Sequence, residues 1–392
     1  MASVGDQVEL AVTGMAAGGD GIARDDDGRV TFVTGALPGE RLLVELTRTK
    51  KDFANGHVVR VLEPSADRTE PPCPFVDAGC GGCDWQHVDP AAQRRLKADV
   101  IADALRRGAH LEAPIDLGPD LPATGYRTTV RGVAVEGRFG FHRRSSSDVI
   151  AVDPCLVVHP LLAELVADGR FPDGEVVLRV GAGTGERLVV VGRDEPATIV
   201  PEGVRVVSGS ALEAGKRAWY HEALAGETWR VSARSFFQAR PDGAEALVAL
   251  AGDALGSCDH LVDLYGGVGL FAKALQAERV TLVEESPSSI ADAKVNLADR
   301  SAKIVRSPVE HWGVAHADAV VADPPRAGLG PRGVAKVAAT GAARLVLVSC
   351  DPASLGRDAR LLVEAGYRLE GCTLVDLFPQ TSHVEVVSRF SR

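Results

Sequence analysis

The sequence predicts an α/β protein whose C-terminal part is a doubly wound parallel sheet, preceded by two β-rich segments. Three observations carry this. From residue 261 strand-like and helix-like stretches alternate: LVDLY, the turn GGVG, the helical LFAKAL, the strand VTLV ending at Glu284, a helix to about Asn296, and the strand AVVA ending at Asp323. Such alternation builds a parallel sheet. The stretch RLVLVSCDP at 344–352 adds a further buried strand, and ligands collect outside the carboxyl ends of such strands. Residues 8–62 and 125–232 instead carry short alternating strands parted by glycine turns.

With 392 residues the chain exceeds one typical core. The pattern divides it into segments 1–62, 63–232 and 233–392. Hydrophobic content of 45% and charged content of 24% are those of a globular protein. No apolar run approaches the roughly 18 residues of a membrane span, and no secretory signal is legible at the start, so a cytoplasmic, membrane-free protein is expected. Seven cysteines, an odd number, fit a reducing compartment better than a disulfide framework. The net charge of −10 argues against a globally attractive surface for nucleic acid, so contacts to RNA would come from local basic patches.

In chain order, VELAV, VTFV, LLVEL and GHVVRVL within 8–62 suggest an OB-like barrel with glycines at its corners. Arg48, Lys50 and Lys51 are candidate phosphate contacts there, or a solvated hairpin. A Pro-rich connector leads to Cys73, Cys80 and Cys83. Three cysteines within so short a glycine-rich span can fold around one soft-metal centre, and Cys155 is the best-placed fourth ligand. No second CxxC pair or HxxxH pair accompanies them, which favours iron–sulfur over zinc. Residues 89–108 predict a helix capped by Asp89, with Pro90 in its first turn and Gly108 as its stop. Its apolar face is Leu96, Val100, Ile101 and Leu105, its cast is basic, and it is expected to pack on the C-terminal domain. In the β-rich middle, the loop FGFHRRSSS at 139–147 mixes aromatics, cations and hydroxyls, as single-stranded RNA binders do, or is a plain hairpin.

In the C-terminal part, the glycine loop after Tyr265 lets backbone approach a ligand, and Glu284, at the end of the next strand, suits ribose hydroxyls. GGVG departs from G-x-G-x-x-G, which disfavours a nicotinamide enzyme and favours S-adenosylmethionine. Cys350 sits at the rim where chemistry is usually done, although a free cysteine also packs as a small hydrophobe.

These residues resemble the RNA 5-methyluridine methyltransferases over nearly the whole chain. Residues 18–24 and 37–40 are similar to the glycine turns of a TRAM domain. The further matches are the four cysteines with CGGC, FFQ at 236–238, DLYGGVG, Val283-Glu284, DPPRAG from Asp323, SCDP and HVE ending at Glu385. The resemblance implies a Rossmann-like methyltransferase domain behind a TRAM barrel and a β-rich iron–sulfur domain. It assigns Cys350 as nucleophile and Glu385 as base, places S-adenosylmethionine against Gln238, Tyr265, Glu284 and Asp323, and gives Cys73, Cys80, Cys83 and Cys155 to a [4Fe-4S] cluster. The expected reaction is methylation of uridine C5 in RNA by a monomeric enzyme. Ribosomal RNA, of the 23S type, is preferred as substrate over tRNA, and a non-catalytic RNA-binding protein is the alternative of another class. A cytosine-C5 enzyme usually places its cysteine after a proline, whereas Pro352 follows Cys350. Three departures stand out: Arg240 and Leu270 where relatives often carry Asn or another polar residue, and no acid at the end of the strand at 304–307, for which Asp299 or Glu310 are the nearest substitutes.

Overall fold

The computed structural model describes residues 2–192 and 198–392. Five strands, β1 (Gln7–Met15), β2 (Gly21–Arg24), β3 (Val30–Thr34), β4 (Arg41–Thr49) and β5 (Phe53–Glu63), close into a barrel in the order β1-β2-β3-β5-β4. Alternation turns Leu10, Val12, Leu42, Val44 and Leu46 inward, where they are buried together. β2 falls inside the stretch read as a glycine turn. Gly21 opens it because a side chain there would strike Ala36 and Val12, while Gly19, at φ +88°, makes the actual turn.

Helix α1 (Pro90–Ala109) starts as expected, with the Asp89 carboxylate accepting from Ala91 N at 2.9 Å and Ala92 N at 3.3 Å. It ends at His110 in the left-handed region, not at Gly108. Its basic cast is largely spent within the chain: Arg94 pairs with Asp120, Arg95 with Asp67, Arg106 and Arg107 with Asp103, and Lys97 is buried against Asp376. Strand β6 (Ile115–Leu117) follows.

The middle of the chain forms a sheet of β7 (Thr129–Val135), β8 (Arg138–His142), β9 (Val149–Ala151), β10 (Gly174–Val180), β11 (Arg187–Val191) and β12 (Val204–Ser208), ordered β12-β11-β10-β7-β8-β9. Helix α2 (Pro160–Ala167) covers it, α3 (Gly209–Glu213) follows β12, and β13 (Trp219–Leu224) pairs with β14 (Glu227–Ser232). The expected aromatic RNA loop is corrected here. Phe139 and Phe141 lie on β8, and Phe139 is in the core against Phe171. Only the Arg143–Ser147 tip stays available, and Arg143 and Arg144 bind the carbonyls of Ala78 and Cys83 in the cysteine loop.

The remaining elements are α4 (Pro241–Leu255), β15 (Cys258–Leu264), α5 (Leu270–Ala274), β16 (Ala277–Glu284), α6 (Pro287–Asn296), β17 (Ala302–Arg306), β18 (Ala319–Ala322), α7 (Gly330–Ala339), β19 (Arg344–Ser349), α8 (Pro352–Glu364), β20 (Arg368–Leu374) and β21 (Val386–Ser391). Their sheet runs β17-β16-β15-β18-β19-β21-β20-β6. The first five strands are parallel, but β21 lies antiparallel between β19 and β20, so the sheet is mixed rather than wholly parallel. β6 adds to its edge and α1 packs on α8, where Gly108 and Gly356 touch backbone to backbone. The stretch 90–117, assigned by sequence to the middle segment, thus belongs physically to the C-terminal sheet. Among the described residues no helix is long and apolar enough to cross a membrane.

Candidate active site

The carboxyl ends of the parallel strands form one rim. Tyr265 follows β15, Glu284 ends β16, Asp323 follows β18 and Cys350 follows β19. Because β21 runs the other way, its start comes to the same rim. Ser349 pairs with Val386, so the next step of that register sets Cys350 opposite Glu385. All of these, with Gln238, line a single cleft of about 770 Å³. The cleft sits beside β15 and β18, where the strand order reverses, the usual place for a ligand in such sheets.

Carboxylates crowd it. Glu284 accepts from Gly267 N at 3.0 Å and Ser286 N at 2.7 Å, which fixes the glycine loop against the end of β16. Asp323 accepts from the Gln238 amide at 3.4 Å. Asp263, on β15 beneath the loop, accepts from Ala272 N at 3.0 Å, while its Oδ1 is buried without a partner among the described residues. Burial pushes Asp263 up to about 8, with Asp323 and Glu284 adding repulsion and the Ala272 bond opposing it. Asp323 is also raised by burial, against the Gln238 bond that lowers it. Glu385 is raised well above the carboxylate range by burial and by Asp323, and its Oε1 is likewise unpartnered. Burial holds the Cys350 thiol up at about 11, with Glu385 and Asp323 adding to the rise and Arg326 working against it. Arg127, Arg234 and Arg326 share the lining with these carboxyls.

The sequence departures resolve locally. Arg240 is buried over the Tyr126 ring, 4.6 Å from its centroid, and binds Asp242 and the carbonyls of Pro122 and Asp376, so it is a structural tie. Leu270 packs in an apolar cluster with Trp229 and Phe237. Of the two substitute acids, Glu310 lines the cleft and accepts from the Tyr265 hydroxyl at 3.4 Å, whereas Asp299 does not line it. Sequence reasoning gave no role to Asp263, although a carboxylate inside the apolar run LVDLY was a visible signal. Arg127 and Ser307, also in the lining, had no such signal.

Cys73, Cys80, Cys83 and Cys155 come together around a neighbouring cavity of about 270 Å³, whose wall shares Arg127 and His383 with the cleft. None is in a disulfide. Burial lifts Cys83 to about 11, a Gln86 hydrogen bond opposes this, and the other three thiols add to it. Among the described residues no three His, Cys, Asp or Glu side chains stand close enough for a single ion. A third cavity, of about 600 Å³, runs from the barrel turns at Gly18, Gly19 and Gly35 past Gly81 and Arg144 to Arg326 and Cys350. Arg48, Lys50 and Lys51 lie elsewhere. Their hairpin adjoins Val30, at the opposite end of β3 from Thr34 and Gly35.

Comparison with known proteins agrees with this architecture. Residues 2–59 match the TRAM domain and residues 314–390 match the tRNA (uracil-5-)-methyltransferase family. An uncharacterized RNA methyltransferase of Streptomyces coelicolor is 37% identical, over 98% of this chain and 93% of the relative. The 23S rRNA (uracil(1939)-C(5))-methyltransferase RlmD of Chromohalobacter salexigens is 33% identical, over 98% of this chain and 89% of its own length. In structure, the Pyrococcus abyssi tRNA (uracil-54, C5)-methyltransferase, solved with S-adenosyl-L-homocysteine, superposes with a TM-score of 0.74 at 21% identity, covering 97% of this chain and 99% of that one, which shows a common fold. The chain belongs to the TRAM-containing RNA uracil-C5 methyltransferases, which use S-adenosylmethionine to methylate C5 of uracil in RNA.

Proposed function

We propose that Cys350 and Glu385 divide the reaction between a covalent addition and a proton removal, with Gln238, Tyr265, Glu284 and Asp323 around the methyl donor. The observation that carries this reading is the register that faces Cys350 with Glu385 across β19 and β21, above the acidic cleft. S-adenosylmethionine supplies a methyl group on a positive sulfonium, a charge that the clustered carboxylates suit. C5 of uracil is a poor nucleophile. When the Cys350 thiolate bonds to C6, the C5=C6 electron pair passes into an enolate and C5 can take the methyl group. Glu385 then removes the C5 proton, the double bond re-forms and the thiolate leaves. Burial makes the Glu385 carboxylate a strong base once it is ionised, and a cationic donor beside it favours that ionised form. A cation entering the cleft lowers the pKa values of the thiol and the carboxyls together.

RNA carrying 5-fluorouridine tests this, because fluorine replaces the proton that Glu385 must take. The intact protein should form a stable protein–RNA adduct and Cys350→Ala should form none. An adduct that persists in Cys350→Ala overturns the assignment.

Cys73, Cys80, Cys83 and Cys155 are read as the ligands of a [4Fe-4S] cluster. Four free thiols lining one cavity are the type of ligand that such a cluster takes. None of the steps above needs electrons, so its chemistry is structural. Ribosomal RNA of the 23S type is the preferred substrate, supported by the whole-length likeness to RlmD and by the pairing of a TRAM barrel with four cysteines. Mapping 5-methyluridine in ribosomal and transfer RNA of a deletion strain, where a cytoplasmic enzyme of this kind acts, decides between the two. Loss from tRNA alone would reverse the preference.

A further inference from the structure

Residues 375–385 join β20 to β21 and end at Glu385. The loop has short-range bonds of its own, from Leu377 N to Val375 O, from Thr381 N and Oγ1 to Phe378 O and from His383 N to Thr381 Oγ1, and Val375 N donates to Glu385 O at its base; it is also tied down from outside. Lys97 on α1 is fully buried and binds Asp376 at 2.7 Å and the Phe378 carbonyl at 3.1 Å. Tyr126 OH donates to Pro379 O at 3.1 Å, and Gln93 holds both the backbone N–H and the side chain of Gln380, which sits at φ +69°. The last tether comes from the cysteine loop. Trp85 N donates to Gln380 O at 3.0 Å, and the Asp84 carboxylate accepts from Ser382 N at 3.0 Å and Ser382 Oγ at 2.7 Å. Asp84 directly follows Cys83, and Ser382 lies three residues before Glu385. Gly19 of the barrel packs so closely on Ser382 that a side chain there would clash, which seals the contact from the other side.

We propose that Asp84 is a positioning residue for the base: it couples the fold of the cysteine loop to the placement of Glu385. The inference rests on the base assignment made above. When the four cysteines share a bound group, the segment from Cys80 to Trp85 is fixed, and Asp84 holds Ser382 with two bonds. When they do not, that anchor is free to shift, and the loop loses the tether nearest the base. Proton removal is the step that depends on it, while thiolate addition at Cys350, carried by β19, does not.

The test separates these steps with natural uridine RNA and S-adenosylmethionine. Asp84→Ala should slow turnover roughly 10- to 100-fold, the cost of displacing a catalytic group by about 1 Å. Methylated RNA should accumulate covalently on the protein, with donor affinity, iron content and adduct formation rate as in the parent. Ser382→Ala, which removes only the hydroxyl bond, should show a smaller effect of the same kind. Hydrogen exchange at residues 380–383 should quicken both in Asp84→Ala and in parent protein depleted of iron. Equal slowing of adduct formation and release would reveal a merely structural role and overturn the proposal, as would unchanged exchange on iron removal. Glu385→Gln is the reference. If it accumulates adduct and Asp84→Ala does not, the coupling fails and the base stands; if it accumulates none, the base assignment itself fails.

Discussion

The two cavities that meet at Arg127 and His383 are filled with different chemistry. One gathers carboxylates, Glu284, Glu310, Asp323 and Glu385, around a long cleft at a sheet rim, with Asp263 buried beneath its glycine loop. The other gathers four thiols from two loops, with Arg127 and Arg131 in its wall. Burial disfavours the ionised forms of Asp263, Asp323 and Glu385 on one side and of Cys80, Cys83 and Cys155 on the other, and a positive guest would favour them. They differ in what holds them. The cleft groups stand at or near strand ends of a packed sheet. Three of the thiols, Cys73, Cys80 and Cys83, stand on a loop that contains no helix or strand and is held by turn bonds and the bridge of Cys80 to Arg143. The rigid site suits a donor that enters and leaves each cycle, and the loop site suits a resident group.

The largest expected effect lies in the rigid site. Glu385→Gln should reduce turnover by about 10²- to 10⁴-fold, the usual worth of a general base, with donor affinity little changed. Steady-state kinetics together with equilibrium binding check this. Loss of donor binding instead would mean that Glu385 shapes the cleft rather than acting in it.

The next contrast is between sites. Cys83→Ser should lose most of the bound iron and become markedly more sensitive to proteolysis between 73 and 89. Cys350→Ser should retain iron and resist proteolysis like the parent. Iron assay and limited proteolysis distinguish them, and equal loss of iron in both variants would erase the division between the two cavities.

A smaller effect comes from protons. Burial raises Asp323, in the cleft lining, to about 7, so near neutral pH a cationic donor displaces its proton. Affinity should therefore climb with pH, by up to about tenfold per unit for each proton released, and level off above about pH 7. Calorimetry in buffers of different ionisation enthalpy should detect proton release. An amine-bearing cationic donor analogue should follow the same profile, and uncharged-sulfur S-adenosylhomocysteine a flatter one. A pH-independent affinity would contradict the electrostatic account.

The smallest change is expected at the barrel. Arg48→Ala, Lys50→Ala or Lys51→Ala, at the end remote from the cleft, should each weaken RNA binding modestly and equally for any sequence. The slope of log affinity against log salt should fall by about one per contact that is real, and not at all where the residue is merely solvated.

The sequence discloses periodic and local features well and tertiary choices poorly. Strand ends at Glu284, Asp323 and Cys350 are legible because an apolar run followed by a polar residue marks a buried strand reaching a rim. The start of α1 is legible because Asp89 and Pro90 are local signals. Its end is not, because Gly108 serves close packing on Gly356 while His110 takes the left-handed turn. β21 reads as a strand but its direction does not, and direction is what brings Glu385 to Cys350. The loop at 139–147, read as an RNA binder or a plain hairpin, is a hairpin: FGFH alternates as a strand does, with Phe139 facing inward. The tethers on the Glu385 loop join residues nearly 300 positions apart, as Asp84 and Ser382 are, and no local pattern announces them.

The central claim, that Cys350 and Glu385 face each other as nucleophile and base, is tested most directly by mapping the species that Glu385→Gln traps. The variant is incubated with S-adenosylmethionine and unmodified uridine RNA, digested with protease and nuclease, and the cross-linked peptide is sequenced by mass spectrometry. The account predicts a nucleotide joined to Cys350 whose uracil already carries the new methyl group. A cross-link to another cysteine, or an unmethylated uracil on Cys350, would contradict it.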